Sequence, residues 1–380
     1  MISATMEPHE ELLEWATSQG VTLDGVAPRR IPGRGIGLIA TRTIKPEEIL
    51  LEVPSSCLRS ITTVPRSVAR KLPSSISVHG LLAADLALDT TAKYDVWNAV
   101  CPTPEDFSTM PLVWPQELQD LLPRPARELL SKQQAKFCKD WSTITSAFPN
   151  LDEARYRYAW MLVNTRTFYY LNARLQKRDK EDHMCLQPVA DLFNHADEGC
   201  HVSFDAEGFS IKATCAYAAG NEVKICYGRH SGDFLLVEYG FVMDNNRWDE
   251  VALDDVVLGR LNTRQKERLE EAGFLGKYVL DREAVCYRTQ VALRLSCCGV
   301  REWRRFVDGV DDGEASQGEA DKVLLETLER IREHVEEIRA EVDGSTFGEP
   351  EQRGVLKKRW EQIRDLIDAN IIKFDVRNAA

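Results

Sequence analysis

Two stretches decide how this chain folds: Asp191-Leu192-Phe193-Asn194-His195, and Gly220-Asn221-Glu222-Val223-Lys224-Ile225-Cys226-Tyr227-Gly228. The first sets three polar side chains in apolar surroundings just after Pro188, and the second reads as a strand that ends in a tyrosine followed by glycine. Each has an ordinary explanation when taken alone. A buried histidine or asparagine most often caps or cross-links neighbouring loops, and any strand can end in tyrosine. Two further segments bracket them. Upstream, Pro32-Gly33-Arg34-Gly35-Ile36-Gly37-Leu38 has glycines close enough to allow positive φ or near approach of a ligand to the backbone, without the spacing of a dinucleotide or phosphate-loop fingerprint. Downstream, Leu236-Val237-Glu238-Tyr239-Gly240-Phe241-Val242 supplies aromatics of the kind that commonly fill a core. The informative observation is that all four occur in this order.

Outward from these segments the chain alternates between β-rich and helical stretches. Residues 8–19 place Leu12, Leu13, Trp15 and Ala16 at amphipathic spacing, and Gly20 stops the helix. Residues 31–44 and 48–53 are β-branched-rich runs separated by Lys45-Pro46-Glu47, which predicts a pair of strands. From 74 to 171 the periodicity is helical, punctuated by prolines at 102, 104, 111, 115, 123 and 125. Strand patterning resumes after Pro188, with 202–204 and 209–213 flanking the turn Asp205-Ala206-Glu207-Gly208, and Gly220-Asn221 leading into 223–226. Beyond about residue 249 the chain is helical again. Leu324, Leu328, Ile331, Val335, Ile338 and Val342 form one stripe, and Leu356, Trp360, Ile363, Ile367 and Ile371 form another, which predicts two long helices packed on each other along one seam. Residues 308–321, rich in Gly, Asp, Glu and Ser without apolar periodicity, read as a mobile linker.

Composition bounds the function classes. A length of 380 residues exceeds one ordinary core, so two or three domains are expected. Hydrophobic residues at 43% and charged residues at 28% describe a globular chain, and no apolar run approaches the ~20 residues that span a bilayer. Residues 1–10 are acidic where a signal peptide is basic, which points to an intracellular protein, nuclear or cytoplasmic. The net charge of −12 disfavours direct nucleic-acid binding and suits a cationic polypeptide partner. The ten cysteines show no C-x-x-C pair, and no metal site is expected. Cys297 and Cys298 are adjacent, but neighbours on a helix point about 100° apart.

Gly-x-Gly near the start, then Asp-x-x-Asn-His, Glu-x-x-x-x-Tyr-Gly and Tyr-Gly-Phe resemble the SET-domain protein lysine methyltransferases of the branch typified by the Rubisco large-subunit methyltransferase. Val163-Asn164-Thr165-Arg166-Thr167-Phe168-Tyr169 resembles the segment that enters the second SET half in that branch. The resemblance implies an α+β fold: a β-rich SET domain with a pseudoknot and a helical insert, followed by an all-α C-terminal domain that binds protein substrate. The corresponding boundaries are an N-terminal helix and first SET half over 1–73, the insert over 74–171, the second SET half over 172–246 and the helical domain over 247–380. It implies S-adenosylmethionine as cofactor, held by backbone around Arg34, Gly35 and Ile36, by Asn194 and His195, and by Arg166 pairing with the cofactor carboxylate. Tyr227 matches the active-site tyrosine; Asp191, Phe204 and Tyr239 match positions lining the lysine channel. His195-Ala196 departs from the serine that many relatives carry after the histidine, and the zinc-binding cysteine cluster of many histone-modifying SET domains is missing. The substrate implied is a protein presenting a lysine, whether a histone, a ribosomal protein or a translation factor. A histidine methyltransferase is the alternative enzyme, against which Phe168 stands as an aromatic where a histidine-modifying relative has a polar residue. An inactive interaction module is the alternative outside catalysis.

Overall fold

Pro32, Gly33 and Arg34 reverse the chain because Gly33 and Gly35 take up φ of 72° and 70°, a region other residues rarely enter. In the computed structural model, which describes residues 7–379, this turn joins β2 (Val26–Ile31) to β3 (Gly35–Ala40) as a hairpin with Ile31 opposite Gly35. Helix α1 (Pro8–Ser18) precedes it, as the amphipathic spacing predicts, and ends at Gly20 with φ 91°. The short strand β1 (Thr22–Leu23) pairs with β4 (Ile49–Pro54). The run 31–44 and the run 48–53 are therefore not partners. β3 belongs to a three-stranded sheet ordered β2-β3-β9, where β9 is Glu222–Val223, and β4 belongs to a four-stranded sheet ordered β1-β4-β8-β7. The hairpin turn that the glycines make, at 32–34, precedes the proline signal at 45–47, and it takes β3 for itself.

Strands β7 (His195–Phe204) and β8 (Gly208–Lys212) form the second hairpin, around the turn Asp205–Gly208. The helical insert contributes α2 (Val78–Leu88), a short α3 (Asp95–Asn98) and α5 (Glu153–Arg166), with α4 (Arg124–Ala147) between them in sequence. Ser77 and Asp152 cap α2 and α5 by accepting backbone N–H bonds, a contribution of about 1 kcal/mol each. α5 stops at Arg166, and the chain continues extended into β5 (Phe168–Tyr169), paired with β6 (Met184–Cys185).

The chain divides into two compact units: 1–107 with 131–229, and 108–130 with 230–380. The division differs from boundaries at 74, 171 and 246, because 108–130 and 230–246 go with the C-terminal helices. The second unit has its own core, in which Trp114, Leu118 and Leu122 pack with Leu236, Leu324 and Leu356. Its elements include α6 (Gly232–Tyr239), the strand pair β10 (Glu250–Ala252) and β11 (Val279–Asp281), and α7 (Tyr287–Cys297). The two stripes lie on α8 (Glu314–Gly344) and α9 (Pro350–Ala379), which pack on each other as the sequence predicts. The linker expected over 308–321 is only a turn. α8 begins at Glu314, and Ser316 and Ala320 are buried; packing of that first helical turn outweighs its polar composition. At the centre of this unit Arg359, fully buried, donates to Asp233 at 2.7 Å and to Asp249 at 2.6 Å.

Candidate active site

A crossing of chain segments builds the site. The backbone N–H of Ile225 donates to Asn194 O at 3.1 Å, and that of Cys200 donates to Lys224 O at 2.7 Å. Ile225 thus bridges both His195 and Cys200 in parallel sense, so residues 224–227 cross the start of β7. The crossing joins the two segments in which the resemblance implies a pseudoknot. It requires a glycine at 199, where a β-carbon would lie 2.6 Å from Lys224 O and 2.7 Å from the Ile225 backbone. Nothing in the sequence marked Gly199.

Two of the expected residues, Arg34 and Asn194, meet at Glu222. Its carboxylate accepts from Asn194 Nδ2 at 2.8 Å and from Arg34 Nη1 at 2.7 Å, with Lys224 Nζ at 3.2 Å. Gly37 makes room for this contact, since a β-carbon there would stand 2.7 Å from Asn194 Nδ2. The Arg34-Gly35 turn is exposed, and the space that a side chain at Gly35 would enter is open. Glu222, inside a quoted motif but without an assigned role, is the anchor that joins hairpin and crossing.

Tyr227 lies where the crossing segment ends. Its hydroxyl donates to Phe193 O at 2.7 Å, its N–H donates to His195 Nδ1 at 3.0 Å, and the two rings are 4.9 Å apart. Burial pushes the phenol up to about 12, so the tyrosine holds its proton through the neutral range. Arg166, at the end of α5, donates through Nη1 to the main-chain oxygen of Asp191 at 2.5 Å, while the Asp191 carboxylate stands 3.8 Å away. Arg166 Nε is buried without a partner. Burial raises the Asp191 carboxyl against the pull of Arg166, and Trp97 Nε1 donates to its Oδ2 at 2.9 Å. The segment enters this arrangement through a γ-turn: Val189 has φ 68° and ψ −44°, and Ala190 N–H bonds to Pro188 O at 2.8 Å. A β-branched residue in that turn is strained, and full burial of Val189 holds it there.

The residues expected to line a lysine channel do not all meet. Phe168, Phe204 and Phe209 form one aromatic cluster with Tyr169 and Tyr170, at ring separations of 5.4 Å for Phe204–Phe209 and 6.2 Å for Phe168–Phe209. Phe204 is 36% exposed, on the outside of that cluster. Asp191 is enclosed rather than presented. Tyr239 belongs to the second unit, with its ring 6.4 Å from His230 and 6.2 Å from Phe241. Among the described residues no group of three or more His, Cys, Asp or Glu could hold a metal ion.

The described residues fit S-adenosylmethionine. A half-buried guanidinium whose Nε has no partner suits a carboxylate, and the open Gly35 turn admits a flat ring close to backbone. An unrelated cavity of about 730 Å³ lies in the second unit, lined by residues such as Arg127, Lys277 and Trp360, and contains none of these groups.

A SET-type fold with a tyrosine at a chain crossing therefore precedes a helical domain, and the comparisons with known proteins define the class. The SET domain matches residues 35–228, and the C-terminal domain of ribosomal lysine N-methyltransferase 2 matches 249–373. The chain belongs to the SET-domain family. Ribosomal lysine N-methyltransferase set11 of Schizosaccharomyces pombe is 25% identical over 89% of this chain and 91% of its own. SET domain-containing protein 4 of Mus musculus is 26% identical over 94% and 89%. Actin-histidine N-methyltransferase of Gallus gallus is 27% identical over 69% of this chain but only 47% of its own. Among solved structures, the SET domain of LSMT bound to methyllysine and S-adenosylhomocysteine superposes with a TM-score of 0.63 at 16% identity, covering 98% of this chain and 94% of that one. At that identity the likeness speaks for the fold.

Proposed function

We propose that this protein transfers a methyl group from S-adenosylmethionine to the ε-amine of a lysine in a ribosomal protein. The observation that carries the reading is the convergence of Tyr227, Asn194 and His195 on one chain crossing, with Arg166 held against Asp191 beside it. Support for a ribosomal substrate comes from the C-terminal domain, whose match bears the name of a ribosomal lysine N-methyltransferase. In this reading Arg166 takes the cofactor carboxylate through its free Nε, Asn194 is steadied for the cofactor by Glu222, and the Arg34-Gly35-Ile36 turn lies along the ring. The cofactor supplies a methyl group on a positively charged sulfur. The lysine must attack as the neutral amine, and holding it so at pH 7 costs about 4.6 kcal/mol against a reference pKa of ~10.4. An aromatic, water-poor surround such as Phe168 and Phe209 provide disfavours the ammonium. Tyr227, protonated to about 12, is no base. Its hydroxyl fixes Phe193 O, and the two oxygens together align the amine and attract the polarised methyl hydrogens.

Purified protein incubated with methyl-labelled S-adenosylmethionine and ribosomes tests this. Label on a lysine of a ribosomal protein, located by mass spectrometry, is the expected result. Label on histidine would replace the reading with its alternative, label on other lysate proteins would move the substrate, and no transfer to any protein would leave a binding module. The same reading implies a nuclear or cytoplasmic protein; among the described residues no helix is long and apolar enough to cross a membrane.

A further inference from the structure

We propose that Trp97, on the short helix α3 of the insert, is a positioning residue that keeps Arg166 available for the cofactor carboxylate by holding the Asp191 carboxylate away from it. The inference rests on the reading of Arg166 given above.

Asp191 offers Arg166 two different oxygens. The main-chain oxygen accepts from Nη1 at 2.5 Å, while carboxylate Oδ2, at 3.8 Å, is outside hydrogen-bond reach. A charge-assisted bond between guanidinium and carboxylate closes to about 2.7–2.9 Å when it is free to form, and it is roughly twice as strong as a neutral one. The same Oδ2 instead accepts from the Trp97 indole at 2.9 Å, and the other carboxylate oxygen, Oδ1, is buried with no partner. The carboxylate is thus held in an arrangement that leaves one of its own oxygens and Arg166 Nε unsatisfied. Room exists for the alternative: a cavity of about 20 Å³ opens among Trp97, Cys101, Arg166 and Asp191. Trp97 is itself fixed by packing against Trp15 and Tyr94, at ring separations of 6.4 and 5.9 Å, so the indole N–H has a defined direction. Without that N–H, Oδ2 turns to the guanidinium and becomes an internal competitor for the charge that the cofactor's carboxylate needs.

The test measures two ligands by calorimetry on the full-length protein: S-adenosylhomocysteine, which has the amino-acid carboxylate, and 5′-methylthioadenosine, which lacks it. Trp97→Phe keeps the aromatic packing and removes the N–H. It should weaken S-adenosylhomocysteine about tenfold, the scale of one charge-assisted hydrogen bond, and leave methylthioadenosine unchanged. Adding Asp191→Asn to Trp97→Phe removes the competing charge and should restore the affinity. Equal weakening of both ligands, or no restoration in the double variant, would show that the indole acts only through packing and overturns the proposal. Should Trp97→Phe not fold, Asp191→Asn alone decides: it leaves an acceptor for the indole, and affinity for S-adenosylhomocysteine should hold or tighten, whereas a selective loss overturns the proposal. Arg166→Met separates this from the underlying reading. If it leaves the ratio of the two affinities unchanged, the carboxylate is bound elsewhere and the assignment of Arg166 itself fails.

Discussion

The hydroxyl of Tyr227 spends its proton on Phe193 O, which restricts what the residue can do. It cannot accept a proton from lysine while it donates its own, and burial keeps it protonated to about 12. Its contribution must come from alignment and charge in the transition state. Tyr227→Phe is therefore expected to lower turnover by roughly 10–1000-fold with S-adenosylmethionine affinity changed only a few-fold, the pattern of an interaction made mainly in the transition state. The variant also leaves the Phe193 carbonyl without its donor, a cost of about 1–3 kcal/mol in stability. Melting, cofactor titration and rate per folded molecule, taken on one preparation, distinguish the two losses. An unchanged rate would remove Tyr227 from the mechanism. The raised phenol carries a pH signature as well. Between about pH 10 and 12 the unfolded chain loses this proton while the folded chain keeps it, so stability is complete below 10 and falls as pH rises through that window. Turnover should climb towards pH 10 as lysine deprotonates, with no inflection from Tyr227 in that range. In Tyr227→Phe the alkaline loss of stability should shrink, measured by denaturant unfolding at pH 9 and 11.

Strands and helices show which parts of the sequence could be read and which could not. Local signals were legible: the amphipathic helix ending at Gly20, the 202–213 hairpin and the stripes of α8 and α9 all stand as the spacing predicts. Pairing was less so. β3 and β4 follow each other in sequence but sit in different sheets, because register depends on partners such as β8 that arrive far later in the chain. At Cys297 and Cys298 the helical spacing of neighbours does not apply. Cys298 leaves the helix as its extended C-terminal cap, which turns its sulfur to 3.7 Å from that of Cys297. The candidate site residues read from motifs each lie in a contiguous run, whereas Trp97 meets Asp191 across 94 residues and resembles any helix-core tryptophan. Gly199 is the element-scale counterpart: its meaning lies in a strand that passes over it later. Gly199→Ala should force the 224–225 backbone off the crossing, which cannot yield like a flexible side chain. A destabilisation of about 1–3 kcal/mol is expected from such overpacking, together with weakened S-adenosylmethionine binding, since Asn194 accepts from Ile225 at the crossing and Tyr227 ends it. A variant that melts and binds like the parent would mean that the crossing segment does not run this close.

At the scale of the whole molecule, the way the chain divides changes how the C-terminal region can be tested. Cutting after residue 246 looks natural from the sequence, because every expected cofactor residue precedes that point. The second unit, however, recruits 108–130 and 230–246 as well. A chain ending at 246 would leave Trp114, Leu118, Leu122, Leu236 and Val237 without the helices that bury them, a contiguous apolar surface of the kind that drives aggregation. It would also strip Asp233 of Arg359, its buried ion-pair partner. The truncated protein is thus expected to aggregate, and loss of activity in it would say nothing about substrate recruitment. Arg359 offers the cleaner measurement. Asp233 and Asp249 are both buried against its guanidinium, and the N–H of Gly232 at the start of α6 bonds to Asp249 at 2.8 Å. Arg359→Met keeps the length of the side chain but leaves two carboxylates buried without a counter-charge, for which the cost is about 3–5 kcal/mol. Removing those charges too, with Asp233→Asn and Asp249→Asn in the same chain, should return a large part of it, because an apolar or neutral core of similar shape is tolerated far better than a half-broken ion cluster. Urea unfolding of the single and triple variants reads both terms. A loss below about 1 kcal/mol in Arg359→Met, within the range of exposed ion pairs, would mean that water reaches the cluster and that the second unit is less tightly closed around α9 than its core implies.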